Sequence, residues 1–510
     1  MRFIVVSSPK RPTKNFPVAV LVPDSWDDFG FKTMFQVTYW RDKSESTDLG
    51  TVKILKRGQK QGHTKIPDRF SELAEDYCSL GQNLEYYETI RKLPRREHEA
   101  LLRGIRDVVF SRLIRAGFED ERGFKDSLLR STAATSALEI APSFFSVQVP
   151  PLSERGPALH FKTSVGGTSF LISFDFDGDK RLPGRVNTII GYNGTGKTQL
   201  LANLAMVAAT SATSKSADRI RGTYGELIDS PHSFGAVITV SYSAFDTFDV
   251  PGENIAQRKR VAQQSELLGY LYCGLRDLES AQTSKRPKLK SFSDLADDFA
   301  RALDAIAERE RKELFIEALA PIALEASLQR LGILSQLDKT AKEWRDLFCS
   351  LSSGHKIVLS VVAHLAAYLQ RHSLVLIDEP EAHLHPPLLA ALLKSLRKAL
   401  EVQDSYAVVA THSPVALQET PARFVRILRR FGESTSAVKP TSETFGENIG
   451  ILTRDVFDLN SSETDFHDVL ERLAADLTVD EIEMLFGHRL GFQARSYITS
   501  IRQHLTESSS

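Results

Sequence analysis

The residues most suited to chemistry lie in a glycine-rich turn that begins at Gly191. There the sequence GYNGTGKT places four residues between two glycines and then adds a lysine and a threonine, which is the spacing of a phosphate-binding loop. Glycine lets the backbone wrap closely around an anion because it has no Cβ. We expect Lys197 to hold the β- and γ-phosphates of a nucleotide and Thr198 to supply a hydroxyl to Mg²⁺. The loop residues assigned to nucleotide binding are Asn193, Gly194, Thr195, Gly196, Lys197, Thr198 and Gln199.

The elements on both sides of this turn match the context that such a loop requires. The run VNTII before it is short and β-branched, which favours a buried strand. Residues 199–208 after it are rich in Leu and Ala, which favours a helix. The start of that helix would offer free N–H groups and a positive dipole end to a phosphate.

Two adjacent carboxylates form the second candidate for chemistry. The apolar run LVLI at 374–377 predicts a buried strand, and Asp378 and Glu379 follow it directly. A carboxylate at the end of a strand beside the phosphate loop can hold Mg²⁺, which is the role predicted for Asp378. Glu379 could polarise the attacking water as a general base. The alternative, a strand capped by surface acids, fits the aliphatic run before them less well.

Two further stretches are weaker when each is taken alone. LSSGHK, which begins at Leu351, puts serines and a glycine at the start of an apolar helix, and such a start can bind an anion. YAVVATHSP, which begins at Tyr406, predicts a buried strand that ends at Thr411 and His412. For each stretch taken alone, the ordinary explanation is the better one: a serine N-cap for LSSGHK and a satisfied histidine at a strand end for YAVVATHSP.

The order of the four stretches resembles that of the ATP-binding-cassette ATPases over residues 160–430. The loop resembles the family's Walker A motif, SLVLIDEPE its Walker B motif and LSSGH its signature motif, with Ser353 and His355 in place of the usual Gly and Gln. EAHLHP is similar to the family's D-loop, and His412 matches its switch histidine, which senses the γ-phosphate.

The resemblance implies ATP and Mg²⁺ as cofactors and a head-to-tail dimer or higher oligomer. In such a dimer Ser352, Ser353 and Gly354 of one subunit would close on the ATP that the other subunit holds. The family's Q-loop glutamine has no counterpart in SYSAFDTF, where Ser243 or Asp246 could approach the metal instead. The aromatic residue that stacks on adenine is unassigned. Phe174 and Phe176 precede the loop, but aromatic residues in strands are more often part of a core.

The long segment between the Walker A and Walker B motifs indicates the branch of this family. Lys197 and Asp378 are 181 residues apart, which is typical of ATPases that act on nucleic acids or partner proteins. VSYSAFDTF, LSSGHK, LIDEPEAHLHP, THSP and ILTRDVFDL together resemble the ATPase subunits of Septu-type antiphage systems, including versions encoded beside retrons. That resemblance implies a separately encoded HNH-type nuclease as a partner, and possible contact with a retron reverse transcriptase or its RNA–DNA product. The tail after His412 shows no D-x-D and no H-N-H pattern, so no nuclease site is recognised in this chain.

Two other functions stay open at this point. One is a DNA-repair or DNA-end-sensing ATPase without a defence role, in which the basic stretches RKLPRR at Arg91 and QRKR at Gln257 contact phosphates. The run SKRPKLK at 284–290 is better explained as a solvated loop. The other is a nucleotide-gated scaffold with little turnover, for which His355 and the missing glutamine leave room.

The predicted fold class is α/β, namely an ABC-type P-loop ATPase head with an antiparallel β subdomain and helical insertions. The predicted domain boundaries follow changes in the sequence pattern, from short β-type runs to helical spacing and back to strands. These are 1–66, a β-rich N-terminal part of the ATPase head; 67–145, a helical insertion; 146–252, the Walker A half; 253–350, a helical insertion or lid; 351–430, the half with the signature, Walker B and switch histidine; and 431–510, a helical tail that could dock a partner.

Composition sets the remaining bounds. The 510 residues include 42% hydrophobic and 25% charged residues, and the formal net charge is −1, so any nucleic-acid contact needs local basic patches. The three cysteines are far apart, which argues against zinc and against a disulfide framework. The N-terminal apolar run is too short for a signal peptide, and the longest apolar run is too short for a membrane span. We therefore expect a cytoplasmic protein without membrane contact.

Overall fold

The computed structural model describes two compact units, which are residues Met1–Gly446 and Glu447–Ser510. The residues described are 1–8, 11–145, 155–177, 181–210, 217–228, 233–252, 258, 261, 269–281, 288–457 and 466–507.

All strands among the described residues lie in the first unit. They are β1 (Arg2–Val5), β2 (Val18–Pro23), β3 (Phe31–Lys32), β4 (Met34–Trp40), β5 (Ser46–Lys56), β6 (Gly62–His63), β7 (Arg69–Phe70), β8 (Tyr77–Gly81), β9 (Arg155–Ser164), β10 (Ser169–Asp177), β11 (Val186–Ile190), β12 (Glu226–Ile228), β13 (Val237–Ser241), β14 (Tyr270–Gly274), β15 (Arg276–Asp277), β16 (Lys288–Leu289), β17 (Leu374–Asp378), β18 (Tyr406–Thr411), β19 (Val425–Phe431) and β20 (Ser434–Val438).

The helices are divided between the two units. Those of the first unit are α1 (Leu84–Lys92), α2 (Arg95–Gly104), α3 (Arg112–Ala116), α4 (Thr132–Ile140), α5 (Pro142–Phe145), α6 (Lys197–Ala208), α7 (Ala217–Tyr224), α8 (Leu278–Ala281), α9 (Phe292–Glu308), α10 (Lys312–Ala323), α11 (Ala326–Gln329), α12 (Ala341–Ser350), α13 (Ser353–Tyr368), α14 (Pro386–Val402) and α15 (Pro414–Gln418). Those of the second unit are α16 (Ile449–Phe457), α17 (Phe466–Asp476), α18 (Val479–Leu485) and α19 (Phe492–Glu507). Single turns of π-helix and 3-10 helix span Phe124–Leu128, Ile333–Gln336 and Ala422–Phe424.

A seven-stranded sheet forms the centre of the first unit, in the order β14-β13-β17-β18-β11-β19-β20. Its first six strands are parallel, and β20 closes one edge in the antiparallel direction. Every residue of β11, β13, β17 and β18 is buried, as expected for a parallel sheet covered on both faces. Successive side chains point to opposite faces, so Val375 and Ile377 join one core while Leu374 and Leu376 join another. The predicted α/β class is confirmed.

One face of this sheet is covered by helices of the segment predicted to be an insertion. Helices α9, α10 and α12 pack with α13 and α14 into a single core with the sheet. The other face is covered by α6 and by a three-stranded antiparallel sheet ordered β10-β9-β12. This small sheet corresponds to the predicted antiparallel β subdomain.

The N-terminal strands form a separate sheet, ordered β7-β1-β2-β4-β5-β8. Its inner side chains, Phe3 and Leu21 among them, pack with α1, α2 and α4 in a core distinct from those around the seven-stranded sheet. The division predicted at residue 66 falls within this sheet, because β7 and β8 continue it. Strand β8 has the sequence YCSLG, whose small residues give only a weak strand signal.

The predicted boundary at residue 430 also falls within an element. Strand β19 runs to Phe431, and β20 pairs with it before the chain reaches the second unit. The second unit is helical, with a small core of Leu470, Ala474, Ile482 and Ile498. Within the described ranges, no helix is both long enough and apolar enough to cross a membrane.

Candidate functional site

The glycine-rich turn joins β11 to α6, as predicted. Gly196 directly precedes the first residue of α6 and has a φ of +91°, a left-handed conformation that favours glycine. A Cβ at this position would lie 2.0 Å from Cγ1 of Val165, so the turn also needs glycine because of close packing. The first turn of α6 thereby points its free N–H groups towards the loop.

Lys197 is folded back over this loop. Its side chain is buried, and Nζ donates to the carbonyl oxygens of Gly191 at 2.9 Å and Tyr192 at 3.0 Å. Burial lowers the pKa of Lys197 to about 8, although the nearby carboxylates of Glu379 and Asp378 act in the opposite direction. A phosphate could replace the two carbonyl oxygens as the acceptor of this ammonium group.

Thr198 and Asp378 meet across the sheet. The Thr198 hydroxyl donates to Oδ2 of Asp378 at 2.8 Å. Strand β18 lies between β11 and β17, but the register pairs Ile190 with Thr411 and Asp378 with Ala410, so the carboxyl ends of the three strands are level. The two side chains therefore reach each other although their strands are not neighbours.

The other oxygen of this carboxylate is unusual. Oδ1 of Asp378 is buried and has no hydrogen-bond partner among the described residues. Burial raises the pKa of Asp378 to about 7; the Thr198 hydrogen bond lowers it, and the negative charges of Glu379 and Asp246 add to the rise. A divalent cation would satisfy this oxygen and neutralise its charge, and a hydroxyl with a carboxylate is a ligand set that suits Mg²⁺. The residues present thus fit the ion that the loop implies.

Glu379 and His412 contact each other at the same edge. Nε2 of His412 lies 3.1 Å from Oε1 of Glu379, and Nδ1 of His412 lies 3.3 Å from Nζ of Lys197. Because an ammonium group only donates, Nδ1 is the acceptor and Nε2 carries the proton that is donated to Glu379. Glu379 has a φ of +48°, an uncommon conformation for a residue with a side chain and one that often marks functional sites.

A neighbouring glutamate fixes this arrangement. Oε1 of Glu381 accepts hydrogen bonds from the Thr411 hydroxyl at 2.9 Å and from the backbone N–H of His412. The backbone N–H of Glu379 donates to the carbonyl of Ala410 at 2.8 Å. The ends of β17 and β18 are thus tied together, and we infer that Glu381 positions His412. Sequence reasoning did not assign Glu381 a role, although its place in LIDEPE could have suggested one.

The LSSGHK stretch forms the start of α13. Ser352 is the N-cap, and its Oγ accepts from the backbone N–H of His355 at 3.4 Å. Ser352 and Ser353 are exposed, whereas Gly354 is buried against the turn after β17, where a Cβ would lie 2.8 Å from the carbonyl oxygen of His383. Since α13 precedes β17 and runs antiparallel to it, this helix start lies towards the edge of the sheet that carries the phosphate loop.

His355, the residue that follows Gly354 in LSSGHK, contacts the helical segment. Its Nε2 lies 2.8 Å from Oγ of Ser327, which in turn donates to the carboxylate of Glu325. Burial lowers the pKa of His355, which favours the neutral ring as the donor to Ser327. The contact links the start of α13 to α11 in the helical segment.

The two residues proposed in place of the Q-loop glutamine have other contacts. Asp246 is buried in an ion pair with Arg276, 2.9 Å from Nη1, and accepts from the Tyr272 hydroxyl at 2.6 Å. Oγ of Ser243 accepts from the backbone N–H of Phe245. Asp246 therefore acts on Asp378 through its charge, and no direct role in holding a metal is indicated.

The aromatic residues before the loop belong to the core. Phe174 and Phe176 belong to β10, and their side chains are buried in the core between the antiparallel sheet and its neighbours, so they cannot stack on a bound base. Sequence reasoning missed Arg430, whose Nη1 donates to the carbonyl of Gly194 in the phosphate loop at 3.2 Å. It lies at the exposed end of β19, and no local motif marks it.

The basic stretches of the sequence have different surroundings. Arg91 and Arg96 are exposed at the adjoining ends of α1 and α2. Most of QRKR at 257–260 and the residues 284–287 lie outside the described residues. Lys290 pairs with Asp298 at 2.7 Å.

The chain is similar to known proteins over most of its length. Residues 258–418 match a family described as an AAA domain, putative AbiEii toxin, type IV toxin–antitoxin system. This range includes Asp378, Glu379 and His412 and begins after the phosphate loop. The chain is 32% identical over 514 aligned residues to protein ea59 of Escherichia phage lambda, covering 95% of this chain and 94% of that protein.

Two further similarities are more limited. The retron Vc95 probable ATPase of Vibrio cholerae serotype O1 biovar El Tor is 26% identical over 110 residues, which cover 19% of this chain and 21% of that protein. The crystal structure of a nucleotide-free ATP-binding cassette from an ABC transporter aligns with a TM-score of 0.29 at 15% identity, covering 59% of this chain and 95% of that one. A TM-score this low does not support a structural inference. The assignment of a P-loop ATPase domain rests on the family match and on the topology described above.

Proposed function

We propose that this chain, which belongs to the same family as protein ea59 of Escherichia phage lambda, is an ATP-hydrolysing subunit of a defence complex. The observation that carries the ATPase part is the meeting of Lys197, Thr198 and Asp378 at one sheet edge, with a buried carboxylate oxygen that lacks a partner among the described residues. Glu379 and His412 lie at the same edge, where hydrolysis requires a base.

Each of these side chains has a defined task in the proposed reaction. Lys197 and the N–H groups of the loop bind the β- and γ-phosphates of ATP. Thr198 and Asp378 hold Mg²⁺, which when bound neutralises charge on the phosphates. Glu379 accepts the proton of the attacking water, and His412 orients Glu379 through its Nε2–H. Glu381 holds His412 in place by accepting a hydrogen bond from the backbone N–H of His412.

A second copy of the chain would complete the site. Ser352 and Ser353 expose a helix start whose N–H groups and positive dipole end suit a phosphate. In the proposed dimer this start closes on the ATP held by the other subunit, so ATP favours the dimer through contacts made only in the closed state. Hydrolysis then releases the two copies.

The defence role rests on the relatives. One is a probable ATPase of a retron, and the matching family is described as a putative toxin of a toxin–antitoxin system. We propose that the partner is a separately encoded HNH-type nuclease, restrained or released by the nucleotide state, with a retron reverse transcriptase and its RNA–DNA product as possible further partners.

The test of the ATPase part separates binding from turnover. Glu379→Gln should keep ATP affinity but lower phosphate release by about 10²-fold or more, because the amide cannot accept the proton. Lys197→Ala should lose ATP binding itself. Glu308→Gln, the same change at an exposed position of α9, is the matched control. Undiminished phosphate release by Glu379→Gln would exclude it as the base, and retained affinity in Lys197→Ala would contradict the loop assignment.

A further inference from the structure

An open pocket of about 470 Å³ lies on the N-terminal sheet, apart from the residues of the ATPase site. This volume is within the range of about 300–1,000 Å³ that is usual for small-ligand sites. The residues that line it come from β1, β2, β7 and the segment between β1 and β2. They are Arg2, Phe3, Ile4, Val6, Arg11, Pro12, Thr13, Lys14, Asn15, Val20, Arg69, Phe70 and Ser71.

The floor of the pocket follows from the strand register. Ile4 pairs with Val20 on one side and with Arg69 on the other, so these three side chains share one face of the sheet. The opposite face of β1 carries Phe3, which is buried in the N-terminal core. Phe70 pairs with Phe3, stacks on it with ring centroids 4.7 Å apart and lies on that opposite face, so Ile4 and Val20 supply the apolar floor.

The rim of the pocket is strongly cationic. Arg2, Arg11, Lys14 and Arg69 are exposed and line it, and no carboxylate side chain is among the lining residues. Within the described part of the chain, Arg2, Lys14 and Arg69 form no ion pair. Cations that line one pocket without a carboxylate side chain among its lining residues repel one another, and an anionic ligand would relieve that repulsion.

The neutral polar residues of the pocket fit the same kind of ligand. Thr13, Asn15 and Ser71 add hydroxyl and amide groups to the rim, and such groups commonly contact phosphate and sugar oxygens. The apolar floor could take a base or sugar, while guanidinium groups match phosphate geometry. A small inorganic anion would use the rim and leave the floor unfilled.

We propose that this pocket binds a nucleotide unit, with its phosphate on the cationic rim and its base or sugar on the floor of Ile4 and Val20. The unit can come from a nucleic-acid strand or from a free nucleotide, since both present the same chemistry. The proposal shares no residue with the ATPase site and stands independently of the proposed function.

The experiment uses the full chain and a fluorescent, 5′-phosphorylated single-stranded DNA of about ten nucleotides, a length typical of one single-strand binding site. Binding is measured by fluorescence anisotropy over a series of salt concentrations. The test variant is Lys14→Glu with Arg69→Glu. The control variant is Lys60→Glu with Lys65→Glu, which makes the same charge change at exposed positions outside the pocket. Both variants are also assayed for ATP hydrolysis, which should be unchanged.

We expect the test variant to bind the DNA at least about tenfold more weakly at low salt, with a salt slope reduced by about 0.7 for each phosphate that the variant no longer neutralises. The control should stay within about twofold of the wild type, because separated surface charges are screened. Displacement of the DNA by adenosine monophosphate identifies a free nucleotide as the occupant, and failure to displace it identifies the strand.

Three outcomes would overturn the proposal. They are no binding by the wild type at low salt, equal weakening in the test and control variants, and loss of all binding in Lys197→Ala, which would place the DNA in the phosphate loop.

Discussion

Two buried aspartates of this protein, Asp107 and Asp378, have their pKa raised by burial to about 7, yet their surroundings differ. Both oxygens of Asp107 are satisfied, since the Tyr87 hydroxyl donates to one at 2.9 Å and the backbone N–H of Val109 to the other at 2.8 Å. Asp378 keeps one oxygen without a partner among the described residues. The first carboxyl is a structural group, and the second is prepared for a ligand.

Asp107 should make the stability of the protein depend on pH. A raised pKa means that the folded state binds the proton more tightly than the unfolded state does. The resulting stabilisation is complete below the unfolded pKa of about 3.9 and is lost as pH rises towards 7, at up to about 1.4 kcal/mol per pH unit. Asp107→Asn cannot titrate and should lose the share of this dependence that Asp107 contributes, so its unfolding free energy should fall less steeply with pH than that of the wild type. Urea unfolding from about pH 5 to about pH 8 measures it for both proteins.

The control for this prediction is Asp68→Asn, the same change at an exposed aspartate. Its unfolding free energy should follow the wild type across the pH series. Parallel curves for the wild type and Asp107→Asn would show that Asp107 is ionised in the folded protein throughout this range.

The parts of the site that sequence could predict are those formed by consecutive elements. A strand, a glycine turn and a helix are local, so the region from Val186 to Ala208 was predictable from spacing alone. The position of β18 between β11 and β17 is set by pairing between distant segments, and no local pattern reports it. The same limit applies to the bond between His355 and Ser327 and to Arg430 on the loop, which join residues far apart in the chain.

The predicted limits at residues 66 and 430 fall within sheets for a related reason. The N-terminal sheet takes β8 from a segment whose spacing is otherwise helical, and the seven-stranded sheet takes β20 from beyond the last apolar strand. Strand β20 has mostly exposed or half-buried residues, so its sequence looks like a loop. Strand β8 is fully buried, but its small residues give only a weak strand signal. Local patterns thus identify elements better than they identify the sheet to which each belongs.

Gly196 of the phosphate loop packs closely against Val165, which follows strand β9 of the antiparallel sheet. Gly196→Ala should destabilise the protein by more than about 2 kcal/mol, because the left-handed φ and the contact with Val165 both oppose a Cβ. Val165→Ala removes the clashing methyl group, so the double variant should be more stable than the sum of the two single changes predicts. Denaturant unfolding of the four proteins measures this coupling.

Gly194→Ala is the control for strain alone, since Gly194 has a φ of +79° but open space around its Cβ position. It should cost roughly 1 kcal/mol, and Val165→Ala should not change that cost. Strict additivity of Gly196→Ala and Val165→Ala would contradict the close contact.

At the scale of the whole molecule, the chain consists of two units with separate cores. The phosphate loop, Asp378, Glu379 and His412 all belong to the unit Met1–Gly446. A chain that ends at Gly446 should therefore fold and bind ATP with an affinity within about threefold of the full chain, because the cores around its two large sheets consist of residues before Gly446. Thermal unfolding by circular dichroism and a nucleotide titration measure both properties. Aggregation or loss of ATP binding in the shortened chain would contradict this division.

We propose that two copies of the chain share each ATP. Mixing two inactive variants tests this sharing most directly. Lys197→Ala disables the phosphate loop. Ser353→Glu adds a carboxylate that suits the start of α13 but repels a phosphate, so the variant should fold and yet not close on ATP. In a mixed dimer one site combines the intact loop of one copy with the intact helix start of the other. We predict that each variant alone is inactive and that an equal mixture regains phosphate release, up to roughly a quarter of the wild-type rate. A mixture as inactive as its components, or full activity of Ser353→Glu alone, would contradict a shared site.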